Sequence, residues 1–213
     1  MAHPTKPAAE SDRDFGIILF IVGCAARTMN SMPNYRRAAV PGGSYFFTVV
    51  TAGRQPILCD DPVRSALRAA IAEVRARWPF SIDAWVLMPD HLHCIWTLPP
   101  GDRNYSRRWS AIKRLTYQKC VTGHDCAAAT SSRHKRNEGR LWQRRFWEHC
   151  IRDQRDLERC RDYLHWNPVK HGYVSHVADW PYSTFHRCVN DGVYPVDWGG
   201  EVARRIDGHR FGE

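Results

Sequence analysis

The chain has 213 residues, a formal net charge of +9 and a sequence pI of about 9.4. Apolar residues make up 43% of it and aromatic residues 12%, a composition that supports a packed globular core. The eight cysteines include no Cys-x-x-Cys pair, which argues against a disulfide framework and favours reduced thiols in a cytoplasmic protein. The excess of basic residues favours a polyanionic partner such as nucleic acid.

The first 31 residues differ in character from the rest. Acidic residues and prolines precede the apolar stretch Phe15–Ala26, which is too short to span a bilayer and lacks the positive flank of a signal peptide. We therefore predict a disordered extension at residues 1–31 and no membrane association. The functional domain is predicted over residues 32–200, followed by a C-terminal tail at residues 201–213.

The first half of the domain alternates between strand and helix signals. The aromatic and β-branched run Ser44–Thr51 predicts a buried strand. Apolar residues at helical spacing predict a helix that opens at Asp61–Pro62 and ends near Trp78–Pro79. Two further strands, Phe80–Met88 and His91–Leu98, flank a proline turn and form a predicted antiparallel hairpin.

The second half repeats the pattern. Ser106–Val121 predicts a helix with one basic side, and residues 121–139, rich in small and basic residues, predict a mobile loop. Leu141–Ile151 predicts a strand, and Asp153 is the predicted cap of a helix that runs to about Trp166. This order favours an α+β fold with a ferredoxin-like antiparallel sheet and helices packed on it.

Two histidines on the third strand are candidate metal ligands. Because side chains alternate along a strand, His91 and His93 point to the same face. Two imidazoles alone leave a divalent cation underligated, so a structural pair at the end of a strand is an equal alternative.

Tyr163 and Asn167 lie one turn apart on the last predicted helix, with Pro168 as its predicted end. Tyr163 falls at the edge of the apolar stripe, so core packing is its alternative role. A metal held by His91, His93 and Asn167 could orient a phosphodiester towards the phenol. Attack on phosphorus would leave a phosphotyrosine and a free hydroxyl, which suits strand transfer better than hydrolysis.

Several runs resemble the REP-associated tyrosine transposases, relatives of the single-tyrosine HUH transposases of insertion sequences. The resemblance covers about residues 32–200 and weakens through the loop after Val121. The runs that carry it are Asn34–Arg37, Pro41–Val49, Met88–His93, Arg145–His149, Tyr163–Val174 and Trp180–His186.

The resemblance implies the HUH single-tyrosine transposase fold, with His91, His93 and Asn167 as ligands of Mg²⁺ or Mn²⁺. It makes Tyr163 the nucleophile that forms a 5′-phosphotyrosine. The insertion-sequence relatives commonly have glutamine at the position of Asn167. The implied substrate is single-stranded DNA bearing a repetitive extragenic palindrome (REP) hairpin, nicked and joined beside the hairpin. The implied protein is a bacterial, cytoplasmic, nucleoid-associated monomer or homodimer.

Basic residues near the predicted site are candidate DNA contacts, because several are interleaved with aromatic residues suited to base stacking. Two alternatives remain: a hairpin-binding regulatory or structural protein with little cleavage activity, and a metal-dependent hydrolase that uses water. The candidate DNA contacts are Arg36, Arg37, Arg54, Arg108, Lys113, Arg144 and Arg145.

Overall fold

A computed structural model describes residues 39–122 and 141–199 of the chain. Its centre is a four-stranded antiparallel sheet in the order β2-β3-β1-β4. This is the strand order of a ferredoxin-like sheet, so the α+β prediction is confirmed. The strands are β1 (Ser44–Val50), β2 (Ser81–Leu87), β3 (His91–Thr97) and β4 (Trp147–Cys150).

Helices cover both faces of the sheet. On one face, α1 (Asp61–Arg77) and α2 (Tyr105–Thr122) pack side by side, and Trp109 of α2 stacks on Trp96 of β3 with ring centroids 4.2 Å apart. On the other face, α3 (Gln154–Lys170) packs against Phe46, Ile95 and Ala84. The period-two pattern of β1 and β3 explains this division, because alternate side chains feed separate cores. A short helix, α4 (Phe185–Asn190), and two 3-10 turns, Ala52–Arg54 and Val177–Asp179, complete the described fold.

The predicted strand at Leu141–Ile151 is correct only in its second half. Gln143 still donates its backbone N–H to Val50, but regular pairing begins at Trp147. Lys113 of α2 explains the gap, because its ammonium group donates to the carbonyl oxygens of Gln143 at 2.9 Å and Arg145 at 3.4 Å. A cation that binds these carbonyls takes the place of the missing strand hydrogen bonds.

The predicted end of α3 near Trp166 is wrong, because Pro168 lies inside the helix. The helix ends instead at Lys170, and Gly172 follows its C-cap with a φ of 70°, the left-handed conformation that glycine adopts readily. The Gly172 N–H bonds to Val169 and the Tyr173 N–H to Pro168, the pattern of a Schellman cap. At the other end, the Asp153 carboxylate accepts the backbone N–H of Asp156 at 2.8 Å, so the predicted cap is confirmed.

The segment after α3 runs along the outer edge of β2. The backbone N–H of Leu87 donates to the Tyr182 carbonyl at 2.8 Å, and the backbone N–H of Trp85 donates to the Thr184 hydroxyl at 2.8 Å. Trp180 adds an indole hydrogen bond to the Leu87 carbonyl at 3.0 Å. These bonds cover an edge strand that would otherwise be open to solvent.

Some predictions concern residues outside the described ranges: the extension at 1–31, Arg36, Arg37, most of the loop at 121–139 and the tail at 201–213. Within the described ranges, every helix is too short or too polar to cross a bilayer. Within those ranges, the following cysteines are not joined in disulfide bonds: Cys59, Cys94, Cys120, Cys150, Cys160 and Cys188.

Asp156 in the first turn of α3 is expected to contribute to stability. Burial raises the pKa of this carboxyl, but hydrogen bonds from Arg152 and His149 outweigh it and hold the pKa well below its usual range. We expect Asp156→Asn to lower the free energy of unfolding at pH 7 by roughly 2 kcal/mol, because the donors of Arg152 and His149 lose the buried charged acceptor that they share. Urea unfolding measures this, with the exposed Glu158→Gln as the control on the same helix.

The same ion pair predicts a dependence on pH. A carboxyl whose pKa is depressed in the folded state stabilises the fold above its unfolded pKa of about 4, and this contribution is lost as the pH falls below that value. The difference in stability between the wild type and Asp156→Asn is therefore expected to narrow below about pH 4. A constant difference across that range would contradict the assigned role of the carboxylate.

Candidate active site

His91 and His93 lie on the face of β3 that α3 covers, as the alternation predicts. His91 pairs with Val50 of β1, and His93 pairs with Thr48 of β1 and Val86 of β2. Both side chains are buried, and their ring centroids are 4.8 Å apart. The central position of β3 in the sheet therefore holds the two imidazoles side by side.

A separate polar group orients each imidazole. The Thr48 hydroxyl lies 2.9 Å from Nδ1 of His93, and the Asp90 carboxylate lies 2.7 Å from Nδ1 of His91. Burial raises the pKa of Asp90, but hydrogen bonds from His91 and Arg54 outweigh it and hold the pKa below its usual value. With Nδ1 engaged in both rings, Nε2 is the nitrogen that each histidine would present to a metal ion.

Asn167 on α3 brings an oxygen to the same place. Its side chain is fully buried, and Oδ1 lies 3.3 Å from Nε2 of His91. A carboxylate only accepts hydrogen bonds, so in a neutral His91 the proton resides on Nδ1 and Nε2 presents a lone pair. Two lone pairs that face each other favour a cation between them. The donor set, two imidazole nitrogens and an amide oxygen, therefore fits a divalent ion, and the shorter side chain of asparagine still reaches His91.

Tyr163 lies beside this donor set. Its ring centroid is 5.5 Å from that of His93 and 6.1 Å from that of Phe46, and the side chain is 1% exposed. Lys170, two turns later on α3, donates from Nζ to the phenolic oxygen at 3.2 Å. The structure thus brings together Tyr163, Asn167, His91 and His93, from an interior strand and one helix of the same chain.

Sequence reasoning missed three residues of this arrangement: Lys170, Thr48 and Asp90. Lys170 could have been found from its spacing, because positions i, i+4 and i+7 of a helix share one face and correspond to Tyr163, Asn167 and Lys170. The roles of Thr48 and Asp90 had no local signal. Strand register places Thr48 opposite His93, and a turn places Asp90 against the ring of its neighbour.

A second group of metal-type side chains lies at the start of α3. The ligand atoms of His149, Asp156 and Cys160 lie within 4.8 Å of one another. Asp156 is already bound by Arg152 and by His149, and burial raises the pKa of the Cys160 thiol to about 12. A protonated thiol beside a guanidinium does not suit a cation. The pair formed by His149 and Asp156 is therefore structural.

The candidate DNA contacts fall into two classes. Arg54 lies beside the site, half exposed and bonded to Asp90 at 3.1 Å, and Arg144 and Arg145 are exposed on the segment before β4. The other two described candidates, the buried Arg108 and the half-buried Lys113, bind groups of the chain itself. Arg108 is 2% exposed and binds Asp102 and two backbone carbonyls of the turn before β2, and Lys113 binds the carbonyls before β4. Helical spacing could not show that these two cations bind other groups of the chain.

The chain is similar to known proteins over most of its length. Residues 39–167 match the family described as "Transposase IS200 like". A REP-associated tyrosine transposase of Escherichia coli K12 is 44% identical over 180 residues, which cover 84% of this chain and 99% of the relative. A putative REP-associated tyrosine transposase of Haemophilus influenzae is 43% identical over 177 residues, which cover 83% and 99%.

A solved structure is also similar. It is described as a REP-associated tyrosine transposase bound to a REP hairpin, and it matches 85% of this chain and 98% of its own with a TM-score of 0.69 and 42% identity. The family match includes every residue of the candidate site except Lys170. The chain belongs to the IS200-like transposases and, within them, to the REP-associated tyrosine transposases.

Proposed function

We propose that this chain nicks and rejoins single-stranded DNA beside REP hairpins through a 5′-phosphotyrosine at Tyr163. The convergence of Tyr163 with the His91, His93 and Asn167 donor set is the observation that carries the proposal. The hairpin as substrate is supported by the solved relative, which is described as bound to one. The net charge of +9 suits a phosphate backbone.

In the proposed reaction the phenolic oxygen of Tyr163 attacks the phosphorus of the scissile phosphodiester. A bond forms between that oxygen and phosphorus, and the bond from phosphorus to the leaving 3′ oxygen breaks. The phenol gives up its proton and the 3′ oxygen gains one, so the products are a 5′-phosphotyrosine and a free 3′ hydroxyl. Attack of a 3′ hydroxyl on the phosphotyrosine reverses these changes and joins a strand.

We propose that His91, His93 and Asn167 hold Mg²⁺ or Mn²⁺. Such an ion supplies Lewis-acid polarisation of the phosphate when bound. The chain's own groups prepare the site for it, since Thr48 and Asp90 fix the orientation of the two imidazoles. The low exposure of His91, His93 and Tyr163 limits competing water at the reacting phosphorus.

Lys170 is proposed to stabilise the phenolate. Tyrosine has an unperturbed pKa of about 10, so its anion needs a nearby positive charge. We expect Lys170→Met to slow adduct formation by about 10- to 100-fold and to leave hairpin affinity within about threefold. Single-turnover kinetics at saturating DNA measure the first quantity, and fluorescence anisotropy the second.

Lys170→Arg is the matched variant, because it keeps the charge on a longer side chain. Partial recovery of the rate would support an electrostatic role. Equal losses in the Met and Arg variants would point to a packing role for Lys170 over the Tyr163 ring, from which its Nζ is 4.8 Å distant.

The function is tested with a labelled single strand that carries a REP hairpin, incubated with the protein and Mn²⁺. The expected product is a protein–DNA adduct that survives denaturation and maps by mass spectrometry to the peptide containing Tyr163. Binding without an adduct under any metal would favour the alternative of a regulatory hairpin-binding protein. Cleavage without an adduct would favour hydrolysis by water.

The site also bears on oligomeric state and location. Nucleophile and ligands all come from one chain, so we propose that a monomer suffices for nicking. Adduct yield is then expected to be proportional to protein concentration. We propose that the activity takes place in the bacterial cytoplasm, at the nucleoid, because the proposed substrate is DNA.

A further inference from the structure

A row of aromatic rings begins at the candidate active site and leads away from it. His171 lies 5.5 Å from His91 between ring centroids, Tyr173 lies 6.4 Å from His171, Trp180 lies 5.6 Å from Tyr173, and Tyr182 lies 5.5 Å from Trp180. We name His171, Tyr173, Trp180 and Tyr182 the aromatic row. The reaction proposed above uses none of these four rings.

The aromatic row is held in place by the edge of the sheet. The indole of Trp180 donates to the Leu87 carbonyl, and the Leu87 N–H donates to the Tyr182 carbonyl. The ring of Tyr173 nevertheless remains exposed, with 48% of the residue's surface accessible. A fixed backbone that carries an exposed ring suits stacking by a flat ligand, because little rotamer freedom is lost on binding.

The row ends at a groove of about 480 Å³ between α1, β2 and the segment Pro181–Arg187. Trp85 and Tyr182 contribute aromatic surface to it. Among its described lining residues there is no aspartate or glutamate. Four arginines also line the groove: Arg64, Arg68, Arg75 and Arg187. We name it the arginine groove.

The arginine groove keeps most of its positive charge. Arg64 stacks over Tyr182 at 4.8 Å and pairs with the exposed Asp61. Arg75 and Arg187 bind backbone carbonyl oxygens, which leaves their charge uncompensated, and Arg68 is exposed. Along α1, Arg64 to Arg75 extends over roughly 16 Å, so the basic side chains form an extended row instead of a single point of charge.

We propose that the aromatic row and the arginine groove form a track for the single strand that flanks the hairpin. Bases would stack on the exposed rings of the row, His171 and Tyr173, which the buried Trp180 supports from behind, while phosphates meet the arginines. Proteins that bind single-stranded nucleic acid use this combination. The proposal rests on the proposed function, because the track starts at His91. It adds a DNA-binding surface on the opposite side of β2 from the candidate catalytic residues.

The test compares a REP hairpin with and without single-stranded flanks of roughly ten nucleotides, a length within the usual site sizes. We expect Tyr173→Leu and Arg68→Ala each to weaken binding of the flanked hairpin by about 5- to 10-fold and the double variant by more. Affinity for the unflanked hairpin is expected to be unchanged. Tyr173→Phe, which keeps the ring, is expected to bind like the wild type, and so is Arg114→Ala, which removes the same charge from α2.

A direct readout of stacking uses 2-aminopurine at successive flank positions. Wild-type protein is expected to quench the fluorescence of at least one position, and Tyr173→Leu to restore it. Unchanged binding in both variants, or an equal loss for the unflanked hairpin, would overturn the track. The two proposals can therefore fail separately, since a wild type that forms no adduct refutes only the proposed function.

Discussion

Tyr163→Phe is expected to abolish the covalent adduct with hairpin DNA, a loss of at least about 10³-fold, while hairpin affinity changes by less than about twofold. The substitution removes only the phenolic oxygen that attacks phosphorus. The ring keeps its edge contacts with His93 and Phe46, so the core around α3 should persist. A denaturing gel measures the adduct, and fluorescence anisotropy the affinity.

Tyr117→Phe is the control for this experiment, because Tyr117 lies on α2, on the other face of the sheet. It is expected to form the adduct at the wild-type rate. A Tyr163→Phe protein that still cut DNA would show that water or another side chain is the nucleophile. A variant with a much lower melting temperature would make the activity uninterpretable, so thermal unfolding is measured in parallel.

His93→Ala is expected to lower Mn²⁺ affinity and the rate of nicking by at least about 100-fold, because the proposed site loses one of three protein ligands. Titration followed by electron paramagnetic resonance reports Mn²⁺ binding without reference to activity. Removal of metal from the wild type with a chelator should stop nicking, and added Mn²⁺ should restore it.

Two further variants test which residues hold the metal. Thr48→Val keeps the shape of the side chain but removes the hydroxyl beside His93 Nδ1, and we expect a 10- to 100-fold loss of metal affinity. His149→Ala, in the second group of metal-type side chains, should leave Mn²⁺ affinity unchanged. Loss of binding in His149→Ala alone would move the metal to that group and contradict the proposed ligands.

Features that depend on residues close together in the sequence were predicted better than features that depend on residues far apart. The first three strands, the helix starts and the common face of His91 and His93 depend on local periodicity, and all of them are confirmed. The strand before α3 is confirmed only in its second half. The end of α3 was misplaced because Pro168 was given more weight than the glycine cap that follows it. The capping geometry at Gly172 satisfies the last carbonyls and allows the helix to pass the proline.

Long-range contacts were not readable from the sequence. Arg108 and Lys113 lie on the helix side that looked like a phosphate-binding face, yet each satisfies backbone carbonyls distant in sequence. The same pattern of basic residues is compatible with either role. The carbonyl-binding role appears only once α2 is packed against the turn before β2 and the segment before β4.

The covered edge of β2 has a consequence for synthesis of the protein. The backbone N–H groups of Trp85 and Leu87 are synthesised almost a hundred residues before their partners. These partners are Thr184 and Tyr182. Until then, β2 offers an open strand edge to any neighbouring nascent chain, a known route to aggregation. Folding of the sheet is therefore completed late in translation, and a chain that stops before Pro181 would retain the catalytic residues but expose this edge.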